Sequence, residues 1–225
     1  KQWIIKIKKI MDYQNKEDGY YNNPRPEMLD LLPLNSKTIL DVGCADGTFS
    51  KSVKDKSNAE VWGIEFMPNE AEKATKLLDK VIVGKIEDSI SKLPENYFDV
   101  IYFNDVLEHL VDPDKVLHEL KRYLTSNGVI ISSIPNIRYH KPLMNLIFKK
   151  DWKYEDHGVL DKTHLRFFTK TSIERMYVNA GYQIVSNKGI NKSKSLKPWI
   201  YNLFFLFSAL DMRNLQYATI AKVNK

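Results

Sequence analysis

The stretch Thr38-Ile39-Leu40-Asp41-Val42-Gly43-Cys44-Ala45-Asp46-Gly47-Thr48-Phe49-Ser50 sets the reading of the whole chain. TILDVGC (38–44) is a β-rich apolar run that ends on glycine, and DGTFSKSVKD (46–55) reads as the start of a helix. A strand that passes through a glycine turn into a helix opens a βαβ unit. Gly43 and Gly47 let the backbone turn tightly and approach a ligand closely. The turn lacks the third close-spaced glycine of the dinucleotide fingerprint and the Lys-Ser/Thr of a phosphate loop. It carries two carboxylates instead, Asp41 and Asp46, which disfavour a phosphate and favour a cation or an ammonium group.

Outward from this turn the same rhythm repeats. VWGIEF (61–66) is a second strand, followed by Pro68 at a favoured first helical position and a helix that runs toward Lys80. VIVGKI (81–86), FDVIYFN (98–104) and VIISSI (129–134) are further strands. Asp112-Pro113 opens a helix with the stripe Val116, Leu117, Leu120, Tyr123 and Leu124, and Asn127-Gly128 closes it. Residues 136–168 lose the period. It resumes with a helix near 170–180, capped by Thr169 or Thr171 and stopped at Gly181, and a strand YQIVS (182–186). Residues 188–197 read as a loop, 198–210 as an apolar helix and QYATIAKV (216–223) as a last strand. Strands alternating with helices predict an α/β fold, a Rossmann-like, doubly wound and mostly parallel sheet of seven strands with helices on both faces. One domain is expected: an N-terminal lid (1–35), a cofactor-binding core (36–136), a substrate-side cap insertion after strand five (137–168) and a C-terminal helix-strand part (169–225).

In such sheets ligands bind beyond the carboxyl ends of the strands, at the switch point. Glu65 ends the second strand about twenty residues after Asp41, where a carboxylate accepts both ribose hydroxyl protons. At this point ILDVGCADGTFS resembles motif I of class I S-adenosylmethionine-dependent methyltransferases. FDVIYFNDVLEHLVDP resembles the segment after strand four in the branch that methylates small molecules. NGVIISSIPN is similar to the family's fifth strand. The likeness is good over about 38–136 and looser over 15–186. It implies S-adenosyl-L-methionine as cofactor. Asp41, Gly43, Cys44, Ala45 and Gly47 would then wrap the methionine end, Glu65 would hold the ribose, and Phe66 or Met67 would cover the adenine. Ile86 and Glu87 match the adenine-contacting pair, and Asn104 and Asp105 would stand beside the sulfonium. Lys85 departs from the acid common at its position. Ala45 replaces a glycine and enters positive φ less freely.

The GVLDKTHLRFFT run (158–169) and Tyr20-Tyr21 with Arg25-Pro26-Glu27 resemble stretches of methyltransferases of sugar and cell-surface polysaccharide biosynthesis. The acceptor expected from this is a small molecule or a glycan precursor. The insertion offers His164 as catalytic base with Asp161 as its orienting partner, and His164 reads equally as a loop anchor. Tyr21, Arg25, His140 and Arg166 are the candidate substrate-binding residues. His109 reads as packing beneath strand four, and Cys44 as a small packing residue. No compact metal-ligand spacing is present, so no resident metal is expected, while a Mg²⁺ arriving with the acceptor stays open.

Charge and composition bound the alternatives. The chain has 225 residues, 43% hydrophobic and 28% charged, which excludes wholesale disorder and a multi-span membrane protein. One cysteine excludes an intramolecular disulfide framework and points to a reducing, cytoplasmic compartment. The N-terminus does not read as a signal peptide, because Lys6, Lys8 and Lys9 interrupt its apolar residues. The formal charge of +6 resides in the ends. Four lysines and no acid lie in 1–10, seven basic residues face Asp211 alone in 186–225, and the body between carries 23 basic and 27 acidic residues. With six arginines in all, the basic balance does not describe a base-reading surface, and no nucleic-acid partner is expected. The basic, apolar ends suit either a peripheral contact with an anionic membrane or packing, including a homodimer through the 198–210 helix. An RNA methyltransferase, a nicotinamide-dependent oxidoreductase and a non-catalytic cofactor-binding module are the competing readings. The acidic turn argues against the nicotinamide cofactor. The absence of an Asn/Asp-Pro-Pro-Tyr-like motif at Asn104 argues against amino methylation.

Overall fold

The computed structural model describes residues 24–224. Tyr21 and the N-terminal basic segment lie outside these residues. Seven strands form one sheet: β1 (Thr38–Val42), β2 (Glu60–Glu65), β3 (Lys80–Val83), β4 (Phe98–Asn104), β5 (Leu124–Pro135), β6 (Tyr182–Lys192) and β7 (Asn214–Val223). Their order is β3-β2-β1-β4-β5-β7-β6, and β7 alone runs antiparallel to its neighbours. The expected fold class is the observed one.

The apolar runs are continuous because both faces of the sheet are covered. Leu40, Ile101 and Phe103 enter one core with Ile173 and Tyr177 of the Lys170–Asn179 helix. Ile39, Val100 and Tyr102 alternate into the other, with Phe49 and Val53 of the Thr48–Ser57 helix. A strand buried on both sides has no polar side to alternate with.

Local chemistry sets the helix starts. Asp112 caps the Pro113–Leu120 helix by accepting from the Lys115 N–H at 3.0 Å, with Pro113 at its first position. Thr169, not Thr171, caps the Lys170–Asn179 helix, through a reciprocal bond with Ser172.

Several boundaries differ from expectation: the helix after Pro68 stops at Ala74, and β3 ends at Val83 with Ile86 opening the next helix. The Pro113 helix ends at Leu120, and Asn127-Gly128 falls within β5. Residues 188–192 are strand, not loop: β6 pairs with β7 as far as Lys192 opposite Asn214. Asn187, Lys188 and Gly189 hide this run from any apolar pattern. The 198–210 helix covers only Lys197–Phe204. The buried Asn202 side chain accepts from the Ala209 N–H at 3.0 Å and donates to the Ala209 carbonyl at 3.2 Å, turning the chain back. Leu206 and Phe207 make that turn in the left-handed region. Among the described residues no helix is long and apolar enough to cross a membrane.

Candidate functional site

The sheet order reverses between β1 and β4, so their carboxyl ends open a cleft. Register fixes its rim. Val42 pairs with Ile64 on one side and Phe103 on the other, which brings Gly43, Glu65 and Asn104 to one level. A cavity of about 390 Å³ lies there.

Of the twelve expected cofactor residues, ten line this cavity: Asp41, Gly43, Cys44, Ala45, Glu65, Phe66, Ile86, Glu87, Asn104 and Asp105. Gly47 and Met67 stand behind it. Gly47, at φ 85°, starts the Thr48–Ser57 helix, and the Met67 N–H donates to Glu65 Oε1 at 2.8 Å. Ala45 donates its N–H to Glu65 Oε2 at 2.9 Å. It does so from φ 49°, a region that costs an L-residue roughly 1–2 kcal/mol. Two backbone donors thus fix the Glu65 carboxylate, while burial pushes its pKa up against them. Gly43 cannot be replaced cheaply: at φ +74°, an added Cβ would lie 2.6 Å from Val106 Cγ2. Cys44 is buried and packs against Gly63, and burial pushes its thiol pKa well up, which suits packing and not nucleophilic attack.

The rim carries buried polar atoms that the described residues leave without a hydrogen-bond partner. Ser50 Oγ donates to Asp41 Oδ2 at 2.5 Å, but Asp41 Oδ1 has no partner. Neither side-chain atom of Asn104 has one. Burial lifts the Asp41 carboxyl to about 7. Such atoms are costly unless a ligand completes them. S-adenosylmethionine fits this set. It would present an ammonium group to Asp41, a ribose diol to Glu65 and an adenine to the apolar sides of Phe66 and Ile86.

The opposite wall is built differently. Arg25 lines the cavity, yet its guanidinium is engaged by Asp105 (2.5 Å), Glu27 (2.8 Å) and Ser133 (2.9 Å). Gln216 Nε2 donates to Asp105 Oδ1 at 2.6 Å. Arg25 therefore clamps the segment before β1 to the end of β4 instead of presenting a bare cation to a substrate. His109, expected to pack beneath β4, lines the cavity with Leu110 and Val111. Burial, and then the neighbouring His164, lower its pKa to about 4, so its imidazole is neutral.

His164 stands behind His109, the two rings 4.8 Å apart at 69°, and is not among the lining residues. Its Nδ1 is 3.1 Å from the Val159 carbonyl. Asp161 Oδ1 accepts from the N–H and hydroxyl of Thr163, at 2.9 and 2.7 Å. These bonds shape the 158–164 loop. Arg166 donates to the Val111 carbonyl. His140 is buried against Tyr139 with Nε2 3.1 Å from Ser193 Oγ, away from the cavity. The spacing argument against metal ligands meets a different geometry: Glu108, His109 and His164 offer ligand atoms all within 4.8 Å of one another. The sequence signal was the Glu-His pair just past β4. Its third member is 55 residues away and carried no periodicity.

Strand order, acidic turn and unfilled polar atoms together define a class I fold for a positively charged nucleoside cofactor. A methyltransferase domain family matches residues 13–187, and the chain belongs to that family. The chain is 24% identical over 202 residues to a ubiquinone biosynthesis O-methyltransferase of Neisseria meningitidis serogroup C, covering 83% of this chain and 84% of that one. It is 34% identical over 217 residues to an uncharacterized methyltransferase of Schizosaccharomyces pombe, covering 85% and 78%. The fold superposes on a SAM dependent methyltransferase from Archaeoglobus fulgidus with a TM-score of 0.68 at 15% identity, over 99% of this chain and 100% of that one. The protein is a class I methyltransferase that uses S-adenosylmethionine.

Proposed function

We propose that the enzyme methylates a hydroxyl oxygen on the head group of a small lipid-borne acceptor. The observation that carries this reading is His109 on the cavity wall, next to the Asn104–Asp105 end of β4 and held neutral by burial. Bound S-adenosylmethionine supplies a methyl group on a sulfonium, a leaving group that needs no activation. The protein's task is to align the acceptor, orient its lone pair and exclude water. A neutral imidazole accepts the hydrogen bond of an incoming hydroxyl. Asp41, Asn104 and Glu65 hold the donor on the far side, and Arg25 closes the space between. The Neisseria relative's name, an O-methyltransferase, supports an oxygen acceptor.

A second face supports the lipid. Leu146, Ile147 and Phe148 are exposed, as are Leu203, Phe204 and Leu206, the last two at 84% and 89%. Met144, Ala209 and Met212 join the two segments in one small core. Lys149, Lys150, Lys194 and Lys197 flank them, and residues 136–150 and 188–210 contain no acid. Apolar side chains ringed by lysines suit an anionic membrane surface.

The test is turnover with S-adenosylmethionine against three acceptor sets: prenylated phenols, lipid-linked sugars and RNA. Formation of a methyl ether on either of the first two supports the reading and distinguishes a quinol-like head group from a glycan precursor. Methylation of RNA alone, or cofactor binding without turnover on any set, would overturn it.

A further inference from the structure

We infer that Glu108, His109 and His164 form a binding site for one divalent transition-metal cation of the Zn²⁺ or Mn²⁺ kind, on the acceptor side of the cofactor cavity. Their ligand atoms lie within 4.8 Å of one another. On one ion at metal–ligand distances of about 2.0–2.2 Å they would draw closer together.

The first support is Glu108. It is 1% exposed, and neither carboxylate oxygen has a hydrogen-bond partner among the described residues. Two buried carboxyl oxygens with nothing donating to them are costly to leave so, and a bound cation would complete them. Its nearest charged counterpart here is His164 Nε2, 3.9 Å from Oε1, too long for a hydrogen bond.

The second support is how the histidines are held. His109 Nδ1 lies 3.1 Å from the Thr163 carbonyl, and His164 Nδ1 lies 3.1 Å from the Val159 carbonyl. A carbonyl only accepts, so each Nδ1 carries the hydrogen and Nε2 is the ring nitrogen that would ligate. Backbone carbonyls on the non-ligating nitrogen are the usual outer support of metal-binding histidines. The two halves of the site are also docked by backbone. The Leu165 and Arg166 N–H groups both donate to the Glu108 carbonyl, at 2.9 and 3.0 Å. The segment that carries His164 is therefore pinned to the residue it would share a metal with.

Two imidazoles and one carboxylate suit borderline divalent ions better than Mg²⁺ or Ca²⁺, which favour all-oxygen shells. Three protein ligands leave a position open. His109 lines the cavity, so an open position on its side of the ion would face it. There the ion, in place of the His109 nitrogen it would occupy, would take the acceptor's oxygen and make its hydroxyl more acidic. This role rests on the hydroxyl-acceptor reading above; cation binding itself does not.

Chelator-treated protein is titrated with Co²⁺, followed by its visible absorption, and with Zn²⁺ and Mn²⁺ by calorimetry. One equivalent is expected to bind, with Glu108→Gln and His164→Ala each weakening it at least about tenfold. S-adenosylhomocysteine binding, measured on the same samples, is expected to persist in Glu108→Gln, which keeps shape and removes only the charge. Absence of stoichiometric binding, or equal affinity in all three proteins, would overturn the site. So would loss of thermal stability in both variants without metal binding in the parent, the signature of a Glu108–His164 ion pair. Loss of S-adenosylhomocysteine binding in the parent would sink the cofactor reading instead.

Discussion

The rim made by β1, β2 and β4 and the wall made by residues 105–111 face the same cavity, the wall backed by residues 155–166, yet they are built on different principles. The rim is an extension of the sheet. Its groups sit one residue past paired strand positions, and hydrogen-bonded register holds them. The wall is a docking of loops. Glu108 receives Leu165 and Arg166, and His109 meets Thr163, across more than fifty residues of sequence. A rigid sheet edge suits a fixed cofactor, and adaptable loops suit a variable acceptor. Changes at the rim should therefore act on cofactor affinity, and changes at the wall on turnover.

The largest effect is expected at the rim. Glu65→Ala removes a carboxylate held by two backbone donors that would accept both ribose hydroxyls. Hydrogen bonds to a charged group contribute about 1.5–3 kcal/mol each, so with both lost S-adenosylhomocysteine should bind about 10²–10⁴-fold more weakly by calorimetry. Unchanged affinity would mean that the rim does not hold the cofactor. At the wall, His109→Ala should lower kcat by about 10²-fold, the scale of a positioned acid–base or orienting group. S-adenosylhomocysteine affinity should stay within about threefold. His164→Ala should move the same way, turnover before affinity. Equal loss of both quantities, together with a lower Tm, would make His164 an anchor of the 158–164 loop and nothing more.

The difference in construction also explains what could be read from sequence. The seven strands, the switch point and ten cavity-lining residues were legible because each is encoded within one βα unit: an apolar run, a turn and the next carboxylate. His109 was misjudged because its neighbours Leu107 and Leu110 are buried apolar residues, and a histidine among them looks like filling. The Glu108–His164 juxtaposition was illegible, since only the folding of the insertion back onto β4 creates it. The stop at Phe204 was equally hidden. An apolar run predicts continuation, and nothing local signals that Asn202 will fold inward onto Ala209.

Gly43 and Val106 are where the two regions touch, and they permit a sharper separation. Gly43→Ala combines a 2.6 Å contact with Val106 Cγ2 and a positive φ, for an expected loss of about 1–3 kcal/mol of stability by denaturant titration. Val106→Ala in the same chain removes the contact but not the backbone strain. The double variant should recover part of the loss, and the unrecovered part measures the φ requirement. Full recovery would show that the turn tolerates a side chain and that Val106 alone sets its glycine.

A smaller effect tests the charge on the rim. Burial raises the Asp41 carboxyl to about 7 in the fold, and only its ionised form attracts an ammonium group. Affinity for S-adenosylhomocysteine should therefore be flat above about pH 7 and fall below it, by no more than about tenfold per pH unit. The ligand-free protein responds in the opposite sense. Between about pH 4 and 7 the folded state keeps a proton that the unfolded chain releases, so Asp41's contribution to stability grows as pH falls. Asp41→Asn should flatten both profiles. A persistent affinity slope in that variant would move the titration to another group.

The smallest intramolecular effect is expected on the third region, the exposed apolar face. Phe204 and Leu203 sit on the Lys197–Phe204 helix, 84% and 61% exposed. Replacing both by serine removes no core contact, so stability should change by no more than about 0.5 kcal/mol. Turnover on a short-chain, water-soluble acceptor should be unaffected, because the cavity is lined elsewhere. Binding to vesicles is where the substitution should register. The parent should co-sediment with anionic vesicles and less with neutral ones, since lysines ring the apolar side chains. The double serine variant should lose most of this binding while keeping its charge. A face that instead buries itself against a second copy would give a dimer that the serines dissociate, with no dependence on anionic lipid. That outcome would leave the rim and the wall as described and detach the acceptor from the membrane.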